Sequence, residues 1–153
     1  MLRWWLAVVV IALSIHLGGF PLLDPDEGRN AEVGREMAAT NDYVMPRLDG
    51  LPYLDKPIVY FAVEAAAMEV LGPTEVAARL PALLFTLANA AFLWWFARRV
   101  LGGEEASIAA IVFLSTPLAV AFSRTVIFDS ALALFITMGT AFFYLACEPM
   151  CHP

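Results

Sequence analysis

The chain alternates between long runs without a charged residue and one extended polar interlude. Trp4 to Leu23 holds 20 uncharged residues, and Leu80 to Ala97, Ala106 to Ser123 and Ser130 to Cys147 hold 18 each. At about 1.5 Å of rise per residue, a helix of that length crosses most or all of a hydrocarbon core roughly 30 Å thick. The alternating pattern of a barrel strand is absent, and unpaired backbone groups are too costly in lipid, so the runs predict helices. The expected fold class is all-α integral membrane. About four transmembrane helices are expected, over 4–23, 75–99, 105–122 and 129–147, with two interfacial helices in a first outer loop over 24–74.

The interlude is punctuated by strong local signals. Asp24-Pro25-Asp26-Glu27 reads as a helix start, with Asp24 as cap, proline in the first turn and Glu27 closing a capping box. A short helix should run to about Thr40, with Asp26, Arg29, Asn30, Val33 and Met37 on one face by three-and-four spacing. Pro46, Asp49-Gly50 and Pro52 break Tyr43 to Asp55 into an extended loop with a tight turn at Asp49-Gly50. Pro57 opens a second helix, Ile58 to Leu71, which Gly72-Pro73 stops, and Thr74 can cap the next span.

Composition agrees with the hydropathy pattern. Hydrophobic residues make up 61% of 153 and charged residues 16%, against about half and a quarter in an ordinary soluble domain. The net charge of −6 is uneven: Asp24 to Glu75 holds eleven acids and four bases, hence −7, and the rest of the chain +1. An acidic loop of that kind excludes nucleic acid as a partner. Arg3 before the first run and Arg98-Arg99 after the second put both on the cytoplasmic side by the positive-inside rule, so the long loop faces outward. The Phe122 to Asp129 connection then falls on that same outer face. No small-x-small cleavage site precedes Asp24, so the first run is expected to be an uncleaved anchor rather than a signal peptide. Cys147 and Cys151 near the chain's end make no disulfide framework, and with His152 they read as a frayed tail rather than a metal site.

Three segments carry candidate chemistry. Asp26 is surplus to capping and lies at the membrane surface beside Arg29 and Asn30, where a carboxylate can deprotonate a hydroxyl; the bland alternative is that Asp26 and Glu27 only complement the helix dipole. In Tyr53-Leu-Asp-Lys-Pro57, Lys56 adds a cation to the positive end of the following helix, which suits a phosphate, or is a solvated loop lysine. Asp55 beside it can orient Lys56, cap the helix or ligate a divalent ion. Arg124 and Asp129 lie at a membrane boundary, as a functional pair or as an ion pair with each other, and Arg79 at the outer end of the second span is a weaker case of the same kind.

Together these stretches carry a resemblance. Asp26-Glu-Gly-Arg-Asn-Ala-Glu-Val-Gly-Arg-Glu-Met, Asp42-Tyr-Val-Met-Pro-Arg-Leu-Asp-Gly, Tyr53-Leu-Asp-Lys-Pro57, Ala78-Arg-Leu-Pro-Ala-Leu and Ser123-Arg-Thr-Val-Ile-Phe-Asp-Ser-Ala-Leu occur in that order. The set resembles the dolichyl-phosphate-mannose protein mannosyltransferase superfamily, and within it the bacterial branch that includes the lipid A aminoarabinose transferase. The resemblance implies a C-type glycosyltransferase of the bacterial inner (plasma) membrane that moves a sugar from a polyprenyl-phosphate donor to a lipid, protein or glycan acceptor on the outer face. It implies catalytic roles for Asp26, Glu27 and Asp129, and places Lys56, Arg79 and Arg124 toward the donor phosphate. Asp55 stands where related transferases often carry Glu, and is the one position to which the resemblance gives a metal-binding role; no other cofactor is implied. Members usually carry about a dozen spans, so the match is to the N-terminal part of such a protein. The rival expectations are a noncatalytic membrane protein whose acidic loop binds a partner or stabilises an assembly, and a lipid or ion transporter, which the lack of midplane charges and of a broken helix disfavours.

Overall fold

The computed structural model describes the backbone of residues 2–23 and 25–151, with side chains over 8–23 and 25–147. The elements, in order, are α1 (Leu2–Ser14), α2 (Asp26–Thr40), β1 (Arg47–Leu48), β2 (Leu51–Pro52), α3 (Ile58–Leu71), α4 (Glu75–Val100), α5 (Gly103–Ser115), α6 (Pro117–Phe122) and α7 (Asp129–Cys151). Helices dominate, as expected. Among the described residues α4 and the Asp129–Cys147 portion of α7 are long and apolar enough to cross a membrane.

The interlude folds as its punctuation dictates. α2 stops where Asn41 takes a left-handed conformation (φ 53°), which an asparagine tolerates. β1 and β2 pair antiparallel around Asp49-Gly50, both at positive φ, the combination that a two-residue hairpin turn requires. α3 begins after Pro57 and ends at Gly72 (φ 77°), and Thr74 Oγ1 accepts from the Ala77 N–H to cap α4. Two uncharged runs are broken, which differs from the single helices expected over 4–23 and 105–122. α1 stops at Ser14, and His16 at φ 56° turns the chain into Gly18-Gly19. In the other run Pro117 forces Thr116 into an extended conformation (ψ 126°), so α5 and α6 are separate helices.

α4 is the central post. α3, α5 and α7 pack along it, and α2 packs on α3. One core lies at its N-terminal end, where Val33 and Met37 of α2, Tyr60, Phe61 and Ala65 of α3 and Ala77, Ala78 and Ala82 of α4 are buried together with Val126. A second core, Leu13, Leu17, Leu83, Ala90 and Leu114, ties α1 to α4 and α5. Each large side chain so buried contributes about 1.5–3 kcal/mol. The faces turned away from both cores carry Ile108, Val112, Phe135, Ile136 and Phe143, all more than 45% exposed, which suits contact with lipid. α2 and α3 approach closely at Gly34: a Cβ there would lie 2.7–2.8 Å from Cγ, Cδ and Oε2 of Glu64.

Candidate active site

The site is organised around a buried ion pair. Arg79, near the start of α4, is 0% exposed, and Glu27, in the first turn of α2, is 5% exposed. Arg79 Nε donates to Glu27 Oε1 (3.2 Å) and Nη2 to Oε2 (3.0 Å), a bidentate pair. The remaining donors reach the carbonyls of Leu17 (3.0 Å), Phe20 (2.9 Å) and Pro21 (3.1 Å), which the non-helical chain after α1 leaves free. The Phe20 ring covers the guanidinium at 3.9 Å. All five N–H groups of Arg79 are therefore engaged, and none is left for a phosphate. The phosphate-binding role expected for Arg79 gives way to a structural one, because the cation sits beneath the surface rather than on it.

Glu27 is saturated in the same way. Besides Arg79 it accepts from the Leu23 N–H (2.9 Å) and the Val126 N–H (2.8 Å). Burial alone would raise the Glu27 pKa, but the Arg79 hydrogen bonds and the two backbone amides outweigh it and hold the carboxyl below its ordinary value of 4.5. The expected capping box with Asp24 lies outside the described residues; Pro25 occupies the cap position, and Glu27 reaches the amide of Leu23. Glu27 thus anchors its neighbours, its two oxygens accepting from four donors, and it also borders the cavity above. The buried face of α2 consists of Glu27, Asn30, Ala31, Val33, Gly34 and Met37. Asp26 and Arg29, expected on that face, lie at its exposed rim.

Above this anchor a cavity of about 470 Å³ opens between α2, the end of the interlude and the segment joining α6 to α7. Asp26, Lys56 and Asp129 line it together, with Arg29, Asn30, Phe122 and Phe128. Asp26 is largely exposed and pairs with Arg29. Lys56 Nζ lies 3.4 Å from Asp55 Oδ2 and 5.0 Å from the centroid of the Phe128 ring, a cation–π contact. Asp129 opens α7, where its charge complements the helix N-terminus. A carboxylate, a cation and a second carboxylate from three distant segments thus share one opening at the end of the bundle.

Arg124 and Asp55 stand apart from this opening. Arg124 Nη2 donates to the Ile15 carbonyl (2.7 Å) and Nη1 to that of Ala12 (3.4 Å), so the guanidinium satisfies the C-terminal end of α1 and neither lines the cavity nor pairs with Asp129. Asp55 is exposed and faces the ammonium of Lys56, and among the described residues it joins no set of three metal-ligating groups. The set that does converge, Glu32, Glu36 and Asp49 within 4.8 Å, lies elsewhere and already holds Arg35 and the Gly50 amide. A lone carboxylate beside an ammonium does not fit a divalent ion. Cys151 and His152 lie outside the described side chains.

Sequence reading missed one buried acid. Glu64 on α3 is 0% exposed, and neither of its oxygens has a hydrogen-bond partner among the described residues. Burial pushes its pKa well above 4.5, which favours the neutral acid. Tyr60, one turn earlier, is also buried, and burial raises its phenol well above the ordinary value. The available signal was the lone acid in the apolar run Ile58 to Met68.

These features define a class: a helical membrane protein with an acid-and-cation site where an interfacial loop meets the bundle. Residues 55–150 match the family model described as dolichyl-phosphate-mannose-protein mannosyltransferase. The chain belongs to that family, which accords with the expectation from its motifs. It is 32% identical over 145 residues to an undecaprenyl phosphate-alpha-4-amino-4-deoxy-L-arabinose arabinosyl transferase from Edwardsiella ictaluri, covering 93% of this chain and 26% of that protein. The protein of the same name from Yersinia enterocolitica is 32% identical over 125 residues, 81% of this chain and 23% of the relative. Crystal structures of ArnT from Cupriavidus metallidurans, in the apo state and bound to undecaprenyl phosphate, superpose with TM-scores of 0.86 and 0.85 at 31% identity, over 92% of this chain and 26% of theirs. The chain spans about a quarter of the length of these relatives.

Proposed function

We propose that this chain is the N-terminal, acid-bearing part of a membrane glycosyltransferase that moves a sugar from a polyprenyl phosphate to a hydroxyl or amine acceptor. The observation that carries the reading is the single cavity that unites Asp26, Lys56 and Asp129. Its support from relatives is the undecaprenyl phosphate bound in one similar structure and named for the similar transferases.

The chemistry follows from charge. Displacement at the anomeric carbon leaves positive charge on the sugar and negative charge on the departing phosphate, so carboxylates are needed near one and a fixed cation near the other. Asp26 accepts the acceptor's proton as its oxygen or nitrogen bonds to the anomeric carbon. The bond from that carbon to the phosphate oxygen breaks, and the polyprenyl phosphate leaves with the bonding pair toward Lys56. Asp129, lining the same cavity, supplies a carboxylate toward the positive charge that develops on the sugar. A single displacement inverts the anomeric centre. In this reading the N-terminus is cytoplasmic, the cavity opens on the outer side of the inner membrane, and the acceptor is a lipid, protein or cell-envelope glycan.

The test is sugar transfer from a polyprenyl-phosphate donor by membranes containing the full-length protein, with Asp26→Asn and Lys56→Ala at matched expression. Loss of a positioned base lowers the rate by roughly 100-fold or more, and Lys56→Ala weakens use of the donor. Wild-type transfer by both variants sinks the assignment and favours a noncatalytic role for the loop.

A further inference from the structure

In the segment that carries Phe128 and Asp129, the two peptides that flank the Val126 Cα are each held by a buried side chain of α2. The Val126 N–H donates to Glu27 Oε1 (2.8 Å), and the Val126 carbonyl accepts from Asn30 Nδ2 (2.9 Å). Glu27 and Asn30 are three residues apart on α2, just under one helical turn, and each is about 95% buried. Val126 itself is 1% exposed. Glu27 is held in turn by Arg79, whereas the Asn30 amide has no other bond among the described residues than the one to Val126. Asn30 also lines the cavity with Asp26 and Asp129.

Asn30 is therefore placed to act on the site through a neighbour. Between Val126 and Asp129 the chain makes a tight turn, with the Ile127 N–H bonded to the Thr125 carbonyl and the Ala131 N–H to that of Phe128. Little slack separates the held peptides from the Phe128 ring against Lys56 and from the Asp129 carboxylate. Releasing the carbonyl frees the Val126–Ile127 peptide, the one nearer Asp129, to turn about the Val126 and Ile127 backbone dihedrals, while Glu27 still holds the Thr125–Val126 peptide. We propose that Asn30 is a positioning residue that fixes Asp129 relative to Asp26. The inference rests on the transferase reading above and deepens it.

The experiment uses the full-length protein in membranes, with a polyprenyl-phosphate sugar donor, and measures kcat and donor KM for wild type, Asn30→Ala, Asn30→Asp and Asp26→Asn. Misplacing reacting groups by about 1 Å costs up to roughly 100-fold in rate, so Asn30→Ala should lower kcat by about tenfold or more while donor KM stays within about twofold. Asn30→Asp keeps the shape and discriminates by pH. An introduced carboxylate repels the Val126 carbonyl, but once protonated it donates to that carbonyl as the amide does. The charged groups around it are Asp26, Glu27 and Arg29 on α2, Lys56 before α3 and Asp129 on α7. Relative to wild type, the activity of Asn30→Asp should recover as pH falls from 8 toward 5. Wild-type kcat in both Asn30 variants overturns the proposal, and so does an equal loss in Asn30→Asp at every pH, which marks Asn30 as part of the fold only. Full activity in Asp26→Asn fails the transferase reading instead, whatever the Asn30 variants do.

Discussion

Replacing Arg79 by methionine separates a structural role from a substrate-binding one. The change keeps an unbranched apolar stem but removes five donors at once. It strands the Glu27 carboxylate, 5% exposed, with only the Leu23 and Val126 amides, and leaves the Leu17, Phe20 and Pro21 carbonyls without this partner. Removing one member of a buried pair costs about 3–5 kcal/mol, against a total stability of about 5–15 kcal/mol for a typical domain. Arg79→Met should therefore unfold at markedly lower denaturant than wild type when the purified protein is titrated in detergent. Adding Glu27→Gln removes the stranded charge, so the double variant should recover about 0.5–3 kcal/mol relative to additive losses. The contrary result is specific: unchanged unfolding with a raised KM for the polyprenyl-phosphate donor would mean that Arg79 meets the phosphate, and would refute the buried role derived from its five bonds.

Three further outcomes follow from the packing around that pair. Glu27 is bound as the carboxylate and its pKa is lowered, so its contribution is complete above the ordinary value of 4.5 and lost as pH falls below it; the unfolding midpoint of wild type should drop in that acid range, and that of Arg79→Met much less. Glu64 has the opposite sign: with its pKa raised, stability is full below 4.5 and declines as pH rises, so Glu64→Gln should gain midpoint over wild type between pH 5 and pH 8, and an unchanging difference would refute a neutral buried acid. Gly34→Ala places a methyl 2.7–2.8 Å from the Glu64 side chain, which is wholly buried and cannot swing away; a loss of about 1–3 kcal/mol is expected by the same unfolding assay, partly recovered by adding Glu64→Ala.

What the sequence disclosed was the local chemistry. The Asp49-Gly50 hairpin, the stop at Gly72, the Thr74 cap and the bounds of α3 are each decided within a few residues, by positive φ, a missing N–H or a side-chain oxygen. The convergence of Asp26, Lys56 and Asp129 was legible only through the order of motifs, since nothing local sets their distance. The partners of Arg79 were not legible. Glu27 is 52 residues away, and the three carbonyls belong to a segment that composition assigned to a continuous span. An arginine near the end of an apolar helix satisfies a phosphate, a carboxylate or free carbonyls by the same donors, and only the fold chooses among them. Arg124 illustrates the same ambiguity, because it serves the end of α1 rather than Asp129. The break at Thr116-Pro117 was locally legible, but hydropathy averages over a proline.

The division between buried and exposed acids explains how one dipeptide serves two purposes. Asp26 and Glu27 are neighbours on α2, so the helix turns their side chains about 100° apart, one to the rim and one to the core. The inward acid also lines the cavity, but its oxygens are given to α4 through Arg79 and to the α6–α7 segment through Val126. The outward acid has a single side-chain partner, Arg29, and keeps access to the cavity. In the transferase reading proposed above, Asp26 is thereby held to the rest of the site by the residue beside it. For that reason a Glu27→Gln variant, which keeps the volume but weakens two charge-assisted bonds, should lower both stability and transfer, whereas Asp26→Asn should lower transfer with the unfolding midpoint unchanged.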